Sequence, residues 1–257
     1  MRISLCSPSY RRSDKVKTHR AYPSVKFYVA DSEAEEYRKA NKGLNVVEVP
    51  DSVQGNLCRV RNYIMDTEFS DGVDGVVIVD DDLSHVGMFE AEDSEFGRYG
   101  YREKKLTEPE LLDFIERGFL LCEEWGYKFW GLNPNQTDRK SYKHNTPFNT
   151  HAYIGGPYQA FLPNPLRYDE QLYLKEDYDM TLQHIREYGG CLRFNAYHVV
   201  SNQADLGGGC AVTRNVKAEM EQVKLLQRKW GTDVVKTEKS KRDYDFNPKL
   251  YIPLNGV

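Results

Sequence analysis

The chain has 257 residues, enough for one large α/β domain or two small ones, and its 40% hydrophobic and 29% charged residues are ordinary for a globular protein. Its net charge of −4 and pI of about 5.9 lend no support to nucleic-acid binding through bulk charge and leave room only for a local basic patch. We expect a cytoplasmic protein with reduced thiols, since no apolar run approaches a membrane span, the first residues enter a strand rather than a secretory signal, and the 5 cysteines lack Cys-x-x-Cys spacing.

The first part of the chain is predicted to alternate strands and helices around a polar loop. Apolar runs predict three strands, over residues 3–7, 25–30 and 46–49. Ser32, followed by acidic residues, predicts the start of a helix. The first strand ends in the loop Ser7-Pro8-Ser9-Tyr10-Arg11-Arg12. A ring and two guanidiniums there could hold the base and phosphates of a nucleotide, and a basic surface loop is the alternative.

A helix that follows Gly55 carries one basic residue on its apolar face. Residues 57, 60, 61, 64 and 65 share that face at helical spacing, and the only charged one is Arg61. A buried guanidinium needs an anion, so we expect Arg61 to pair with Asp80 or with a ligand phosphate. A purely internal ion pair, or a guanidinium that reaches solvent, is the alternative.

The stretch from Gly75 to Ser84, GVVIVDDDLS, is the most informative in the chain. Its four apolar residues predict a buried strand. Asp80, Asp81 and Asp82 follow at the carboxyl end of that strand, where open α/β sheets bind their ligands. Successive carboxylates favour a hard cation such as Mg²⁺ or Mn²⁺, and an exposed acidic turn is the alternative.

The next part of the chain is less regular. Residues 85–105 show no clear period and are predicted as a long loop beside the site. The sequence from Thr107 to Glu110 is a capping box that starts a core helix, and strands are predicted over 128–132 and from His151 to Ile154. Gly155-Gly156 then indicates a backbone that passes close to a ligand, a bulge or a simple turn.

A second acidic group, Glu176 and Asp177, opens a predicted helix that ends at Gly189. Acids at that position are favourable for helix-dipole reasons alone, or one of them is a general base aimed at the same cleft as the Asp cluster. A strand over 191–200 carries His198, which is either a core residue or a ligand.

The last predicted helix is capped by Thr213. Its inner face is predicted to comprise Val216, Met220, Val223, Leu226 and Trp230. A mixed-charge tail over 235–257 is expected to wrap the domain or to become ordered on ligand binding.

Taken in order, these motifs resemble the GT-A glycosyltransferase fold over roughly residues 1–230. The matching motifs are Arg61-Asn62, Asp80-Asp81-Asp82, Gly155-Gly156, Glu176-Asp177 and His198. The resemblance implies a Rossmann-like single α/β domain with a mixed central sheet flanked by helices. Within it, residues 1–84 would be the nucleotide-binding half, 106–230 the acceptor half and 231–257 a C-terminal tail. The opening of the chain and its VIVDDD strand are similar to phage glycosyltransferases associated with TET/JBP hydroxylases.

The GT-A resemblance implies a metal-dependent glycosyltransferase whose donor is a nucleoside-diphosphate sugar, most often UDP-linked. Mn²⁺ or Mg²⁺ would be held by Asp82 and Asp80, and by His198 if the family pattern carries over. The three successive aspartates leave the metal-binding pair open, and His151 or His184 could take the place of His198.

The same resemblance implies roles for the remaining residues. Asp177 would take the proton from the acceptor hydroxyl during an inverting transfer, and Glu176 or Asp179 would serve the same chemistry. Contacts to the donor nucleotide are expected from Ser7, Pro8, Tyr10, Arg11, Arg61, Asp80, Asp81, Gly155 and Gly156.

The acceptor implied by the phage-type likeness is a 5-hydroxymethylated pyrimidine in DNA, such as 5-hydroxymethylcytosine, modified in the cytoplasm of a bacteriophage's host. Basic residues available to DNA phosphates are Arg98, Arg102, Lys104, Lys105, Arg139, Lys140, Lys143 and the stretch from Lys236 to Arg242. A protein, glycan or small-molecule acceptor is the alternative that the acidic pI favours. Asp80 and Asp82 also suit a haloacid-dehalogenase-type phosphatase, and a metal-stabilised binding module is the non-enzymatic alternative.

Overall fold

The computed structural model describes residues 1–92, 100–134, 146–201, 215–237 and 247–252. The helices are α1 (Thr18–Ala21), α2 (Ala34–Ala40), α3 (Leu57–Ser70), α4 (Glu108–Glu124), α5 (Glu176–Tyr188) and α6 (Val216–Trp230). The first strands are β1 (Ile3–Pro8), β2 (Lys26–Ala30), β3 (Asn45–Val49), β4 (Gly75–Val79), β5 (Leu83–Glu92) and β6 (Gly100–Lys105). The later strands are β7 (Phe129–Asn133), β8 (Phe148–Asn149), β9 (Tyr158–Phe161), β10 (Leu192–Ser201), β11 (Val235–Thr237) and β12 (Pro248–Leu250).

One mixed sheet organises the molecule. Its strand order is β3-β2-β1-β4-β9-β7-β10-β5-β6, with β8 paired to β10. The four strands from β3 to β4 run parallel, whereas β9 is antiparallel to both β4 and β7. Helices pack against the sheet, so the predicted fold class, one mixed α/β sheet flanked by helices, is confirmed.

The apolar run of β4 is explained by packing on both faces of the sheet. All residues of β4 are buried. Val77 and Val79 belong to one core cluster with Ile115 and Phe119 of α4. Val76 and Ile78 belong to the other cluster, with Ile64 and Met65 of α3. A strand buried on both faces needs apolar residues at every position, so its first polar side chains come where the strand ends.

The prediction of a loop over residues 85–105 was wrong, because β5 and β6 form an antiparallel pair in that region. β5 also pairs with β10, which lies more than a hundred residues further along the chain. The buried residues Val86 and Phe89 are spaced by three, so they give no period-two signal. The strand β5 is therefore stabilised by its pairing with the distant strand β10, which the local sequence pattern does not indicate.

The strand predicted from His151 to Ile154 was also wrong, since the neighbouring strands are β8 and β9. Ile154 is fully buried, which explains its apolar character. Its backbone bonds to side chains instead of a strand: the N–H donates to Thr181 Oγ1 at 3.3 Å and the carbonyl accepts from Gln159 Nε2 at 3.5 Å. An apolar residue can thus mark a core position without marking a strand.

Two helix starts differ from the predictions. Ser32 lies in a 3₁₀ turn before α2, where its hydroxyl donates to Asp51 Oδ1 at 2.9 Å. α6 is capped by Asn215, whose side chain accepts the Ala218 N–H at 2.9 Å; Thr213 lies outside the described residues. The capping box of α4 is confirmed, since Glu110 Oε2 accepts the Thr107 N–H at 2.9 Å.

The inner face of α6 was only partly predicted. Val223 and Leu226 are buried, whereas 43% of Val216 and 40% of Met220 are exposed. Leu226 packs in a cluster with Leu172, Tyr178 and Leu182, and Val235 of β11 joins the same cluster. Part of the predicted tail therefore packs against the domain.

The described cysteines Cys6, Cys58, Cys122 and Cys191 are buried, and none of them forms a disulfide with another described cysteine. Within the ranges listed above, no helix has the length and apolar character needed to cross a membrane.

Candidate active site

The turn after β4 is held in place by the short segment that leads into α1. The N–H groups of Lys17 and Thr18 both donate to the Asp81 carbonyl, at 2.8 Å and 3.1 Å. The Thr18 hydroxyl donates to the Asp80 carbonyl at 2.7 Å and accepts the Leu83 N–H at 2.9 Å. The backbone of the three aspartates is thus fixed by an element some sixty residues earlier in the chain.

The carboxylates of Asp81 and Asp82 are bridged by Arg12. Its Nη1 lies 3.2 Å from Asp81 Oδ1, and its Nη2 lies 3.2 Å from Asp82 Oδ2. The hydroxyl of Ser9 donates to Asp81 Oδ2 and also contacts the Tyr37 hydroxyl at 2.9 Å. Sequence reasoning missed this pairing: it placed Arg12 in a basic loop but gave it no role, because nothing local to the loop indicates which anion it faces.

The described basic residues offset only part of the negative charge of the aspartate cluster. Burial raises the pKa of Asp80 to about 6 and that of Asp81 to about 7, although Arg61 and Arg12 act in the opposite direction. Asp82 Oδ1 is buried and has no hydrogen-bond partner within the described residues. A buried carboxylate oxygen without a donor, beside two carboxyls that resist ionisation, suits a hard divalent cation with oxygen ligands. Carboxylate oxygens are the ligand type that Mg²⁺ and Mn²⁺ prefer, and metal binding by these aspartates stays a prediction.

Arg61 joins the aspartate cluster to the second acidic group. Its side chain is buried, as the face of α3 predicted, and its Nη2 lies 3.6 Å from Asp80 Oδ1. Its Nη1 contacts Glu176 Oε1 at 3.1 Å, and its Nη2 donates to the Gly156 carbonyl at 2.9 Å. Burial and the neighbouring Asp177 raise the pKa of Glu176, while Arg61 acts to lower it. One guanidinium thus binds groups from β4, α5 and the loop before β9.

Asp177 lies next to Arg61 at the start of α5. Its Oδ2 accepts the Gly156 N–H at 3.1 Å and the Tyr153 hydroxyl, and the Tyr153 ring stacks on Tyr178 at 4.2 Å between centroids. A Cβ added to Gly156 would lie 3.4 Å from both Asp177 Oδ2 and Arg61 Nη2. The glycine therefore allows the backbone to approach both charged groups. Tyr153 was not predicted, since its position in the chain gives no sign of a contact with α5.

The predicted nucleotide loop shows a mixture of buried and exposed positions. Ser7 is buried, and its hydroxyl has no partner within the described residues. Pro8 and Tyr10 are half-buried. Arg11 has 66% of its side chain exposed, with its guanidinium 4.9 Å from the Tyr10 ring centre and a φ of 54°. Tyr10 and Arg11 therefore present an accessible ring and cation.

His198 is held by a carboxylate from β6. It lies on β10 opposite Gly87, with its Nε2 2.8 Å from Glu103 Oε1, and Glu103 Oε1 is also 3.0 Å from His85 Nε2. A Cβ at Gly87 would lie 2.6 Å from both His198 Nε2 and Glu103 Oε1. Among the described residues, no three His, Cys, Asp or Glu side chains are grouped so as to hold a metal ion. Metal binding by His198 stays a prediction.

The other residues that could have replaced these candidates lie in different surroundings. His184 is buried between Phe129 and Phe161, and burial lowers its pKa to about 4, which is typical of a core histidine. His151 is exposed. Asp179 is buried and bonds to Trp230 Nε1 at 2.7 Å and Lys229 Nζ at 3.0 Å, so it ties α5 to α6. Gly155 is buried, and a Cβ there would lie 3.1 Å from Pro134 Cβ.

The family profile described as TET-Associated Glycosyltransferase matches residues 3–209 of this chain. That range includes β1, the aspartate cluster, Arg61, Asp177 and His198. No curated protein sequence matches the chain.

The solved structures similar to this chain include the following three. One is a candidate nucleotide-diphospho-sugar transferase from Desulfovibrio desulfuricans G20, with 8% identity and a TM-score of 0.43 over 89% of this chain and 98% of that one. A second is CMP:2-keto-3-deoxy-manno-octonic acid synthetase in complex with CTP, with 8% identity and a TM-score of 0.41 over 89% and 100%. A third is mannose-1-phosphate geranyltransferase from Thermus thermophilus, with 8% identity and a TM-score of 0.34 over 77% and 76%. Identities and TM-scores this low do not carry a function over to this chain.

Proposed function

Because the chain belongs to the TET-associated glycosyltransferase family, we propose that it moves a sugar from a nucleoside-diphosphate donor, UDP-linked in the first instance, to the hydroxyl of a 5-hydroxymethylated pyrimidine in DNA. The transfer inverts the anomeric centre and depends on Mn²⁺ or Mg²⁺. The setting is bacteriophage DNA modification in the host cytoplasm. Residues 1–84 act on the donor and 106–230 on the acceptor, and 231–257 form the tail. The family match favours a glycosyltransferase over the phosphatase and binding-module alternatives.

The observation that carries the proposal is the position of Arg61 between two acidic groups. Its guanidinium contacts Asp80 at 3.6 Å on the donor side and Glu176 at 3.1 Å on the acceptor side. The same side chain holds the Gly156 carbonyl, and Gly156 in turn donates to Asp177. The predicted metal cluster and the predicted base therefore meet in one place, as a transfer between two bound substrates requires.

The aspartates would hold the divalent ion, with Asp82 as a ligand through Oδ1, which has no hydrogen-bond partner among the described residues, and Asp80 beside it. When bound, the ion supplies positive charge that stabilises the diphosphate as it leaves. Ser9 and the segment before α1 keep the cluster in place, since they bond to the Asp81 side chain and backbone. Ser7, Pro8, Tyr10, Arg11 and Gly155 are the further donor contacts that we propose.

Asp177 is the base. The acceptor oxygen forms a bond to the anomeric carbon as the bond from that carbon to the diphosphate oxygen breaks, and the acceptor proton passes to an oxygen of Asp177. The Gly156 N–H and the Tyr153 hydroxyl orient Asp177 through Oδ2. The neighbouring Arg61 acts to lower the pKa of Glu176 and so favours the charged form of that buried carboxylate.

DNA as the acceptor is supported by the family description alone. Several of the basic residues predicted to meet phosphates already have partners: Lys104 contacts Glu110 at 2.8 Å and Arg102 contacts Glu90 at 2.9 Å. Lys105 and Lys236 are exposed. Arg98, Arg139, Lys140, Lys143 and residues 238–242 lie outside the described residues. A base in duplex DNA would have to leave the stack to reach Asp177.

The test separates donor binding from transfer. Sugar nucleotides are screened by thermal shift with Mn²⁺, and each hit is incubated with hydroxymethylated DNA, which is then analysed by mass spectrometry. We expect Asp82→Asn to lose metal-dependent donor binding. We expect Asp177→Asn to keep donor binding and to lose at least about 10²-fold in transfer rate. Asp113→Asn, an exposed site on α4 that pairs with Arg117, is the matched control and should behave as the parent protein.

Transfer by Asp177→Asn at the parental rate would show that the base is another residue. Sugar found on a protein or small molecule but never on DNA would support the alternative acceptor and contradict the DNA proposal.

A further inference from the structure

Arg12 contacts Asp82, one of the two carboxylates that the divalent ion would need, and the neighbouring Asp81. Its two terminal nitrogens each lie 3.2 Å from a carboxylate oxygen, one of Asp81 and one of Asp82. Only 14% of its side chain is exposed. A divalent ion bound to Asp82 would meet this guanidinium at close range, where like charges repel strongly in a partly buried site. Arg12 and the ion therefore compete for Asp82.

The backbone around Arg12 is fixed, so that only its side chain has to move. The Arg12 N–H donates to the Tyr37 hydroxyl at 3.1 Å, and the Arg12 carbonyl accepts the Lys15 N–H at 2.9 Å. The neighbouring Ser13 carbonyl accepts from Asn41 Nδ2 at 2.6 Å. These bonds attach the loop to α2, and they do not depend on the salt bridges.

The Arg12 side chain is only partly satisfied where it lies. Its Nε is buried and has no hydrogen-bond partner within the described residues. A guanidinium presents a planar fork of donors that suits phosphate as well as carboxylate. Once displaced from the carboxylates, Arg12 would remain tethered next to the aspartate cluster, where its donors would be available to a donor diphosphate.

We propose that Arg12 is a built-in counter-ion of the Asp81–Asp82 pair, which a divalent ion displaces and which then binds the donor diphosphate. The inference rests on the proposed function, because it needs the metal and the donor to share this cluster. Its consequence is coupling: the metal alone binds weakly, and metal and diphosphate each strengthen the binding of the other by the same factor.

The experiment measures Mn²⁺ affinity directly, by electron paramagnetic resonance of free Mn²⁺ and by calorimetry, with and without UDP. In the parent protein UDP should tighten Mn²⁺ binding by about tenfold or more. In Arg12→Gln, Mn²⁺ alone should bind about tenfold tighter than in the parent, and the enhancement by UDP should be smaller than in the parent, because only the direct contact between metal and diphosphate remains. Arg12→Lys keeps the charge but loses the fork, so it should fall between the two. Arg20→Gln removes an exposed charge from α1 and should match the parent.

Two outcomes overturn the inference and can be told apart. Equal Mn²⁺ affinities for the parent and Arg12→Gln, with UDP enhancement intact in both, would overturn the role of Arg12 and leave the proposed function standing. Failure of every variant and of the parent to bind Mn²⁺ even with UDP would overturn both.

A second measurement covers the case in which Arg12→Gln does not fold. Nitrogen-15 spectra of the parent protein report the Arg12 Nε–H directly. Addition of Mg²⁺ and UDP should shift this signal and change its exchange with water, because the guanidinium changes partners. An Arg12 signal that stays unchanged at saturating Mg²⁺ and UDP would contradict the proposal.

Discussion

At the scale of single residues, Arg61 is a buried charge that links the two acidic groups of the site. It is buried, and it lies within ion-pair distance of Asp80 and Glu176. A buried charge costs several kcal/mol of desolvation and is tolerated only when partners surround it. The carboxylates of Asp80 and Glu176 depend on Arg61 in the same way, because its guanidinium is a positive partner for both.

Removal of the Arg61 charge should therefore destabilise the whole domain. We expect Arg61→Met to lower the free energy of unfolding by about 3–5 kcal/mol, because it leaves buried carboxylates without their partner. Arg59→Met is the matched control on the same helix. Arg59 pairs with Glu170 but is 42% exposed, so its loss should cost at most about 1 kcal/mol. Urea unfolding followed by circular dichroism measures both.

Addition of Glu176→Gln to Arg61→Met gives the internal check. It removes one of the unpaired charges, so it should recover part of the lost stability. A cost for Arg61→Met no larger than that for Arg59→Met would show that the buried ion pairs contribute little.

At the scale of elements, α5 links the site to the core. Its first turn carries Glu176 and Asp177, while His184 lies further along between Phe129 and Phe161. The Nδ1–H of His184 donates to the Met180 carbonyl at 3.0 Å, as in a neutral core histidine. Gly189 then ends the helix with a φ of 73°, as its position in the sequence predicted.

The buried His184 makes stability depend on pH. Burial lowers its pKa to about 4, compared with about 6.5 in an unfolded chain. Between these values the unfolded state binds a proton that the folded state does not, so the stability present above pH 6.5 is lost as the pH falls toward 4. By this linkage the parent protein should lose about 2 kcal/mol between pH 7.5 and pH 5 through His184 alone.

His184→Asn tests this prediction, because its amide can replace the donor to Met180 but does not titrate. Urea unfolding at the two pH values should show a loss smaller by about 2 kcal/mol in the variant than in the parent. His151→Asn, at an exposed histidine, should show the parental loss. The same pH dependence in all three proteins would contradict the assignment to His184.

At the scale of the whole molecule, the mixed sheet brings residues that are distant in the sequence to one cleft. β9 runs antiparallel between β4 and β7, so the loop before it delivers Tyr153, Gly155 and Gly156 to the end of β4. The protein carries a net charge of −4, so DNA would have to be met by a local basic surface.

A DNA acceptor implies a characteristic salt dependence. If two or three phosphates are contacted, the KM for hydroxymethylated DNA should rise roughly 10- to 40-fold between 50 and 200 mM salt, because counterions compete for those phosphates. The KM for a free hydroxymethylated nucleoside should change little over the same range. Steady-state assays with both acceptors measure the difference, and equal salt dependence of the two would count against DNA-backbone contacts.

Local sequence patterns were enough to predict the strands with strong apolar runs, the capping box of α4, the start and end of α5, and the family resemblance. These features depend on neighbouring residues, whose periodicity, caps and glycines act within a few positions. The position of Arg61 on the buried face of α3 belongs to the same class, because helical spacing alone placed it there.

Three features could not be predicted from the sequence because they depend on tertiary contacts. These are the strands β5 and β6, the pairing of Arg12 with Asp81 and Asp82, and the contact of Tyr153 with Asp177. The Arg12–Asp82 contact joins residues 70 positions apart, and the loop sequence is equally compatible with an exposed cation. Such contacts depend on strand order and on the packing of helices against the sheet, which local propensity does not encode. The partners of buried charges are therefore known only when the whole sheet has been assembled.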